Sequence, residues 1–201
     1  MLRRRTLRDR RRGHEADKEG QPDLRHGRGG DGRGLRGRPL HRSLGWKTAS
    51  PILLALPDGT LRSDAAEAIK ADAGIKRIVI VGGPSVVSDA IKDRFGDGYT
   101  YERIGGADRY ETSVQVAAWS AERGLGFSRP IVATGKGYAD ALAAASVCGK
   151  HGSALLLADS ATAPTVEVLK RHKSSVERAY VAGGESAMPA SLSDAMAQAL
   201  R

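Results

Sequence analysis

Two short segments hold most of the side chains that could recognise a ligand. The first is Arg103-Ile-Gly-Gly-Ala-Asp-Arg-Tyr-Glu-Thr112 and the second is Thr134-Gly-Lys-Gly-Tyr-Ala-Asp140. Arg103 and Arg109 carry planar guanidinium forks, which suit a carboxylate and a phosphate alike. Asp108 is placed to cap a helix running from Tyr110 to Arg123, with Glu111 three residues on to complete a capping box. That structural role is preferred for Asp108 over direct ligand contact. Arg109 falls in the first turn, where the helix dipole disfavours a cation, so it needs a specific partner. An intramolecular carboxylate and a ligand anion both qualify. The second segment leaves a strand and enters a helix near Ala141, with Asp140 read as its N-cap. Open parallel sheets bind ligands outside the carboxyl ends of their strands, and free N–H groups at a helix start favour anions. The charge of Asp140 opposes an anion at that spot. Lys136 and Tyr138 project from the loop, where plain solvation is the commoner fate of a lysine. Lys150 and His151 close the same helix, at the end where the dipole favours cations.

Catalytic patterns are hard to find. Gly135-Lys136-Gly137 lacks the spacing of a phosphate-wrapping loop, and neither Gly82-Gly83 nor Gly183-Gly184 opens a dinucleotide-binding turn. There is no zinc-protease helix, no nucleophile elbow and no cysteine pair. The single cysteine, Cys148, reads as a small apolar residue on a buried helix face, and no intrachain disulfide can form. The sequence therefore points to no enzyme, metal or cofactor.

The elements that must hold these segments alternate short apolar runs with amphipathic stretches, the pattern of a parallel α/β sheet. Pro51-Ile-Leu-Leu-Ala-Leu56 is expected as a buried strand. A helix capped by Ser63 or Asp64, with Glu67 closing a capping box, is expected to about Ala73. Arg77 to Val81 is a second strand ending at Gly82-Gly83, followed by a helix over Ser88 to Phe95 and a strand over Tyr99 to Arg103. The pattern then recurs. Ser153-Ala-Leu-Leu-Leu-Ala158 echoes Ser50-Pro-Ile-Leu-Leu-Ala55, and Ala179-Tyr-Val-Ala-Gly-Gly184 echoes Ile78-Val-Ile-Val-Gly-Gly83. The Gly-Gly pairs lie 101 residues apart and the apolar runs 103, so the chain holds a tandem repeat of about 100 residues with a small indel. The second copy is whole and the first begins midway.

Three ordered motifs in the second copy resemble the cell wall-binding repeat family 2 of Gram-positive surfaces. They are the opening Arg103–Thr112 segment, the centre Ala133-Thr-Gly-Lys-Gly-Tyr-Ala-Asp-Ala-Leu142, and the Val181-Ala-Gly-Gly184 turn. Ser113 stands where the family often has alanine. The resemblance covers Arg103 to Arg201, with a partial copy over Lys47 to Gly98. It implies tandem α/β modules, each a small open, mostly parallel sheet flanked by helices in a Toprim-like or Rossmann-like three-layer arrangement. No Asp-x-Asp pair is present to hold the magnesium that Toprim enzymes need, and a shared fold supplies no mechanism. The resemblance further implies a secreted, S-layer-like anchor on the cell surface that binds an anionic, teichoic-acid-like wall polysaccharide and packs with further repeats. Arg103, Arg109, Tyr110, Lys136 and Tyr138 are the polymer-binding candidates. Asp108, Glu111, Thr112, Asp140 and the Gly82-Gly83 and Gly183-Gly184 pairs are the structural part of the motif.

Charge divides the chain again. Residues 1–46 hold 14 basic and 6 acidic side chains, leaving 18 and 17 for the rest. The basic character thus belongs to an Arg/Gly-rich tail too poor in apolar residues to fold. The domain reading is a disordered tail over 1–46, a partial repeat over 47–102 and a complete repeat over 103–201. The tail has no signal-peptide pattern, and no run of about 18 apolar residues marks a membrane span. Gly27-Arg-Gly-Gly30 leaves RNA binding through the tail as the competing function, beside a nucleotide-using α/β enzyme. A third explanation is translation in the wrong frame. Arg38 to Gly45 uses codon families that, read one nucleotide earlier, allow an Ala-rich string like Ala143 to Gly149. Without its opening strand and helix, the first copy is expected to expose apolar surface and self-associate.

Overall fold

A computed structural model describes residues 50–201; the tail, its RNA-binding and wrong-frame readings, and Lys47 lie outside the described residues. The order of elements is α1 (Ser63–Lys70), β1 (Arg77–Val81), α2 (Ile91–Phe95), β2 (Thr100–Ile104), α3 (Arg109–Ala121), β3 (Gly126–Thr134), α4 (Ala139–His151), β4 (Ser153–Ala158), α5 (Pro164–Arg171), β5 (Tyr180–Ala182) and α6 (Ala190–Ala199). All strand pairing is parallel. β1 pairs with β2, and a separate sheet has the order β4-β3-β5. The fold is the expected one of small parallel sheets flanked by helices.

The three-stranded sheet is apolar on both faces, so it needs cover on both. Val132, Leu156 and Ala158 point to one side, where they share a core with Ala117 of α3, Val168 and Leu169 of α5, and Leu192 and Met196 of α6. Ile131, Ala133, Leu155 and Leu157 point to the other, towards Ala141, Ala144, Ala145 and Cys148 of α4. Small residues on α4 let that helix lie close to the sheet. Cys148 is buried, with its thiol on the carbonyl of Ala154. Pro130 cannot donate to the ladder, and the pairing of β3 with β4 slips between Gly126 and Ile131. The Ser153 hydroxyl accepts from the Arg129 amide in that gap.

The β1–β2 sheet has its own core of Leu61, Ala66, Ile69, Ile80, Ile91 and Phe95. Its opposite side, through Val79, Val81 and Ile104, joins the cluster containing Val116 and Trp119 of α3. The Trp119 indole N–H donates to Glu102, and the Arg123 guanidinium lies 3.8 Å above the indole. Those contacts tie α3 to β2.

Three local expectations are corrected. Pro51–Leu56 is not a strand: it has no ladder, and Ile52, Leu53, Leu54 and Leu56 are exposed. A strand exists only through its partner, and among the described residues nothing runs beside this one. Its counterpart β4 pairs with β3 and is wholly buried between the helices on its two faces. In α1 neither Ser63 nor Asp64 caps. The N-cap is Arg62, whose side chain caps no helix amide, and the Asp64 carboxylate is taken up by the Arg62 guanidinium. The helix stops at Lys70, short of Ala73. Finally, α2 is a single short turn from Ile91, because Ser88 to Ala90 form a turn instead.

Candidate functional site

The opening motif builds the start of α3. The Asp108 carboxylate accepts from the amides of Tyr110 and Glu111, each at 2.8 Å. Glu111 turns back to accept from the amide of Ala107 at 2.7 Å, one residue before the cap rather than on it. The Thr112 hydroxyl donates to the Asp108 carbonyl and accepts from the Gly106 amide. A Cβ at Gly106 would collide with Glu111, which is why a glycine stands there. Three side chains thus fix this helix end: Asp108 satisfies two of its orphan amides, and Glu111 and Thr112 hold the two residues that lead into the cap.

This start delivers two residues to the carboxyl ends of β3 and β4. The Arg109 guanidinium donates to the carbonyl of Gly135, directly after β3. The Tyr110 hydroxyl donates to the Asp159 carboxylate at 2.7 Å, directly after β4. Burial, followed by that carboxylate, pushes the phenol up to about 12, so its proton stays in place. Gly135 is fixed by this packing, because a Cβ there would strike the Tyr110 ring. Lys136 and Tyr138 are exposed on the same loop, whose turn is closed by the Thr134 hydroxyl on the Lys136 amide.

Asp140 is not the N-cap of α4. The helix begins two residues earlier than expected, at Ala139, its N-cap is Tyr138 with no side-chain bond, and Asp140 sits within the first turn. Its carboxylate lies beside Gly183 after β5. The C-cap is Gly152 in the left-handed conformation, with Lys150 and His151 in the last turn.

Arg109, Tyr110, Lys136 and Tyr138 thus belong to one end of the three-stranded sheet. Arg103 does not join them. Its guanidinium donates to the Gly82 carbonyl at 2.7 Å and to Asp89 at 3.0 Å, holding β2 against the first Gly-Gly turn. Together with Lys92, it keeps the Asp89 carboxyl below the usual carboxylate range. Asp159 is the residue that the sequence reading missed. Its only signal was its place immediately after an apolar strand, and its partner lies 49 residues away.

Chemically, this end offers an exposed guanidinium and an ammonium flanked by two carboxylates and two phenols. Among the described residues no three acidic, histidine or cysteine side chains converge on a metal position, and no helix is long and apolar enough to cross a membrane. The family model described as cell wall binding domain 2 matches residues 103–193. Those residues belong to the cell wall binding domain 2 family. The fold is also similar to that of solved structures. Cwp8 from Clostridium difficile matches with a TM-score of 0.66 and 26% identity over 83% of this chain. Cwp6 from the same organism matches with a TM-score of 0.69 and 25% identity over 80%. Among curated proteins, the amidase enhancer of Bacillus subtilis (strain 168) is 27% identical over 125 residues, 62% of this chain. The chain spans 17% of the length of that relative, and 27% and 25% of the two solved chains.

Proposed function

We propose that this chain is a non-catalytic wall-anchoring module, displayed on a Gram-positive cell surface, that binds an anionic secondary polymer of the wall. The match of residues 103–193 to cell wall binding domain 2 carries the reading. The exposed Arg109 and Lys136 at the strand ends give it a chemistry. Arg109 has one donor on Gly135, and its other N–H groups remain to grip a phosphate or carboxylate, with the Lys136 ammonium as a second cation. Tyr138 offers a ring face, and Asp140 and Asp159 offer acceptors for sugar hydroxyls. Residues 47–102 act as a partial copy of the same repeat. Each contact is weak, and binding strength comes from several copies acting at high effective concentration.

The test is retention of the full chain on purified walls, before and after the anionic polymer is stripped, across a salt series. Retention should be lost on stripped walls. It should weaken by about tenfold in an Arg109→Ala, Lys136→Ala double variant, equivalent to roughly 1.4 kcal/mol. Unchanged retention on stripped walls would refute the anionic-polymer reading. Binding of RNA in place of walls would favour the tail as the functional part.

A further inference from the structure

An aspartate followed by glycine sets a side-chain carboxyl beside a backbone amide that no Cβ shields. The sequence holds three such pairs, Asp31-Gly32, Asp58-Gly59 and Asp97-Gly98. The first lies outside the described residues. The other two are chemically alike in the text and have opposite surroundings in the fold.

Asp58-Gly59 is tied down on both sides of its peptide bond. The Asp58 carboxylate accepts from the Thr60 amide at 2.9 Å and from the Thr60 hydroxyl at 2.7 Å. Those bonds hold its carboxyl below the usual carboxylate range, which disfavours the neutral acid. The Gly59 amide donates to the Leu56 carbonyl at 2.9 Å, and the Gly59 carbonyl accepts from the Ser88 amide at 2.8 Å. Gly59 is buried, and a Cβ on it would stand 2.9 Å from the Ser88 nitrogen. The backbone has no room to turn there.

Asp97-Gly98 lies in the link between α2 and β2. Both residues are exposed, as is Gly96, and a Cβ at Gly96 or Gly98 would meet nothing within 4 Å. Among the described residues, nothing hydrogen-bonds the Asp97 carboxylate or the Gly98 amide. The ends of the link are fixed. The Gly96 amide donates to the Lys92 carbonyl, the Tyr101 hydroxyl donates to the Gly96 carbonyl at 2.6 Å, and the Thr100 amide donates to the Lys76 carbonyl. Rotation about Asp97 and Gly98 breaks none of these bonds.

We propose that Asp97 is a site of covalent self-modification, converting to isoaspartate in the folded chain with water as its only co-reactant. The Gly98 nitrogen attacks Cγ of the neutral Asp97 carboxyl. The new C–N bond closes a five-membered imide, and the carboxyl hydroxyl leaves as water with the amide hydrogen. A second water then opens the ring. Attack at Cγ restores aspartate. Attack at the α-carbonyl carbon breaks its bond to the Gly98 nitrogen, so the chain runs on through Cγ and the α-carboxylate is set free. Composition is unchanged, and the backbone gains one methylene between α2 and β2. The modified fraction grows with the age of the folded chain.

The test incubates the full chain for weeks at pH 6, folded and in guanidinium, and then cuts it with trypsin. The peptides 48–62 and 95–103 report Asp58 and Asp97 separately from the tail. From the folded chain, 95–103 should resolve into two species of equal mass, with electron-transfer fragmentation placing isoaspartate at residue 97. Conversion in 48–62 should be slower by about tenfold or more, because it waits on local opening. In guanidinium both peptides should convert at similar rates. A folded Gly98→Val variant, at a position open to a side chain, should show no conversion at residue 97 over the same period. A single 95–103 species from the folded chain, at a time when the unfolded chain has converted, would overturn the proposal. So would equal conversion of Asp58 and Asp97 in the folded chain, or an undiminished rate in the Gly98→Val variant.

Discussion

The hydroxyl of Tyr110 joins the start of α3 to the end of β4 through Asp159. Its ordinary pKa is near 10 and in the fold it is pushed up to about 12, first by burial and then by the carboxylate. The unfolded chain therefore gives up this proton first. The contribution to stability is complete below about pH 10 and is lost as pH rises through about 12. Urea melts between pH 9 and 12 should show a steeper loss in the native chain than in a Tyr110→Phe variant. Equal slopes would place the alkaline loss elsewhere. Cys148 belongs to the same scale, since burial raises its thiol to about 12. A thiol reagent at pH 8 should label it only as fast as the protein unfolds. Asp108→Ala should cost about 1 kcal/mol in denaturant unfolding by removing the α3 cap, with Asp108→Asn recovering most of the loss.

α3 is the element that couples the two sheets, through Ala117 on one side and Val116 with Trp119 on the other. Trp119→Phe keeps a ring but removes the indole N–H from the Glu102 carboxylate, which keeps its ion pair with Arg123 at 3.6 Å. It should cost about 1–3 kcal/mol, and a double-mutant cycle with Glu102→Gln should show coupling. The start of this helix was legible in the sequence because its cap is local: Asp108, Glu111 and Thr112 act within a few residues. β4 was legible from its unbroken apolar run, and the end of β3 from the Thr134 segment that leaves it. Pro51–Leu56 carries nearly the same text as β4, but a strand is a property of a pair, and the sequence does not show whether a partner is alongside. Arg62 drew Asp64 from its expected cap by a side-chain pairing that helix rules do not register. In the candidate site, the Arg109–Gly135 contact spans 26 residues and joins two motifs seen only separately in the text. Asp159 stayed hidden because nothing near it in sequence needs a carboxylate.

At the scale of the molecule, the chain beyond residue 46 is close to neutral, with 18 basic and 17 acidic side chains. Residues beyond 46 therefore add little long-range attraction for a polyanion, and the chain's net charge of +9 rests mainly on residues 1–46. The exposed run Ile52, Leu53, Leu54 and Leu56 is the larger liability. The chain should show concentration-dependent sedimentation and bind an apolar dye, and Leu53→Lys with Leu54→Lys should reduce both. An unchanged sedimentation profile in that variant would clear the segment.

β2 straddles the boundary read at Arg103, with Thr100 to Glu102 before it and Arg103 and Ile104 after it, and it pairs with β1 of the first copy. For a gene that grows by copying whole periods, this offset has a consequence. Arrays of this kind can lengthen or shorten by unequal recombination without inventing a new interface. Register is inherited with the copy, and length becomes free to vary.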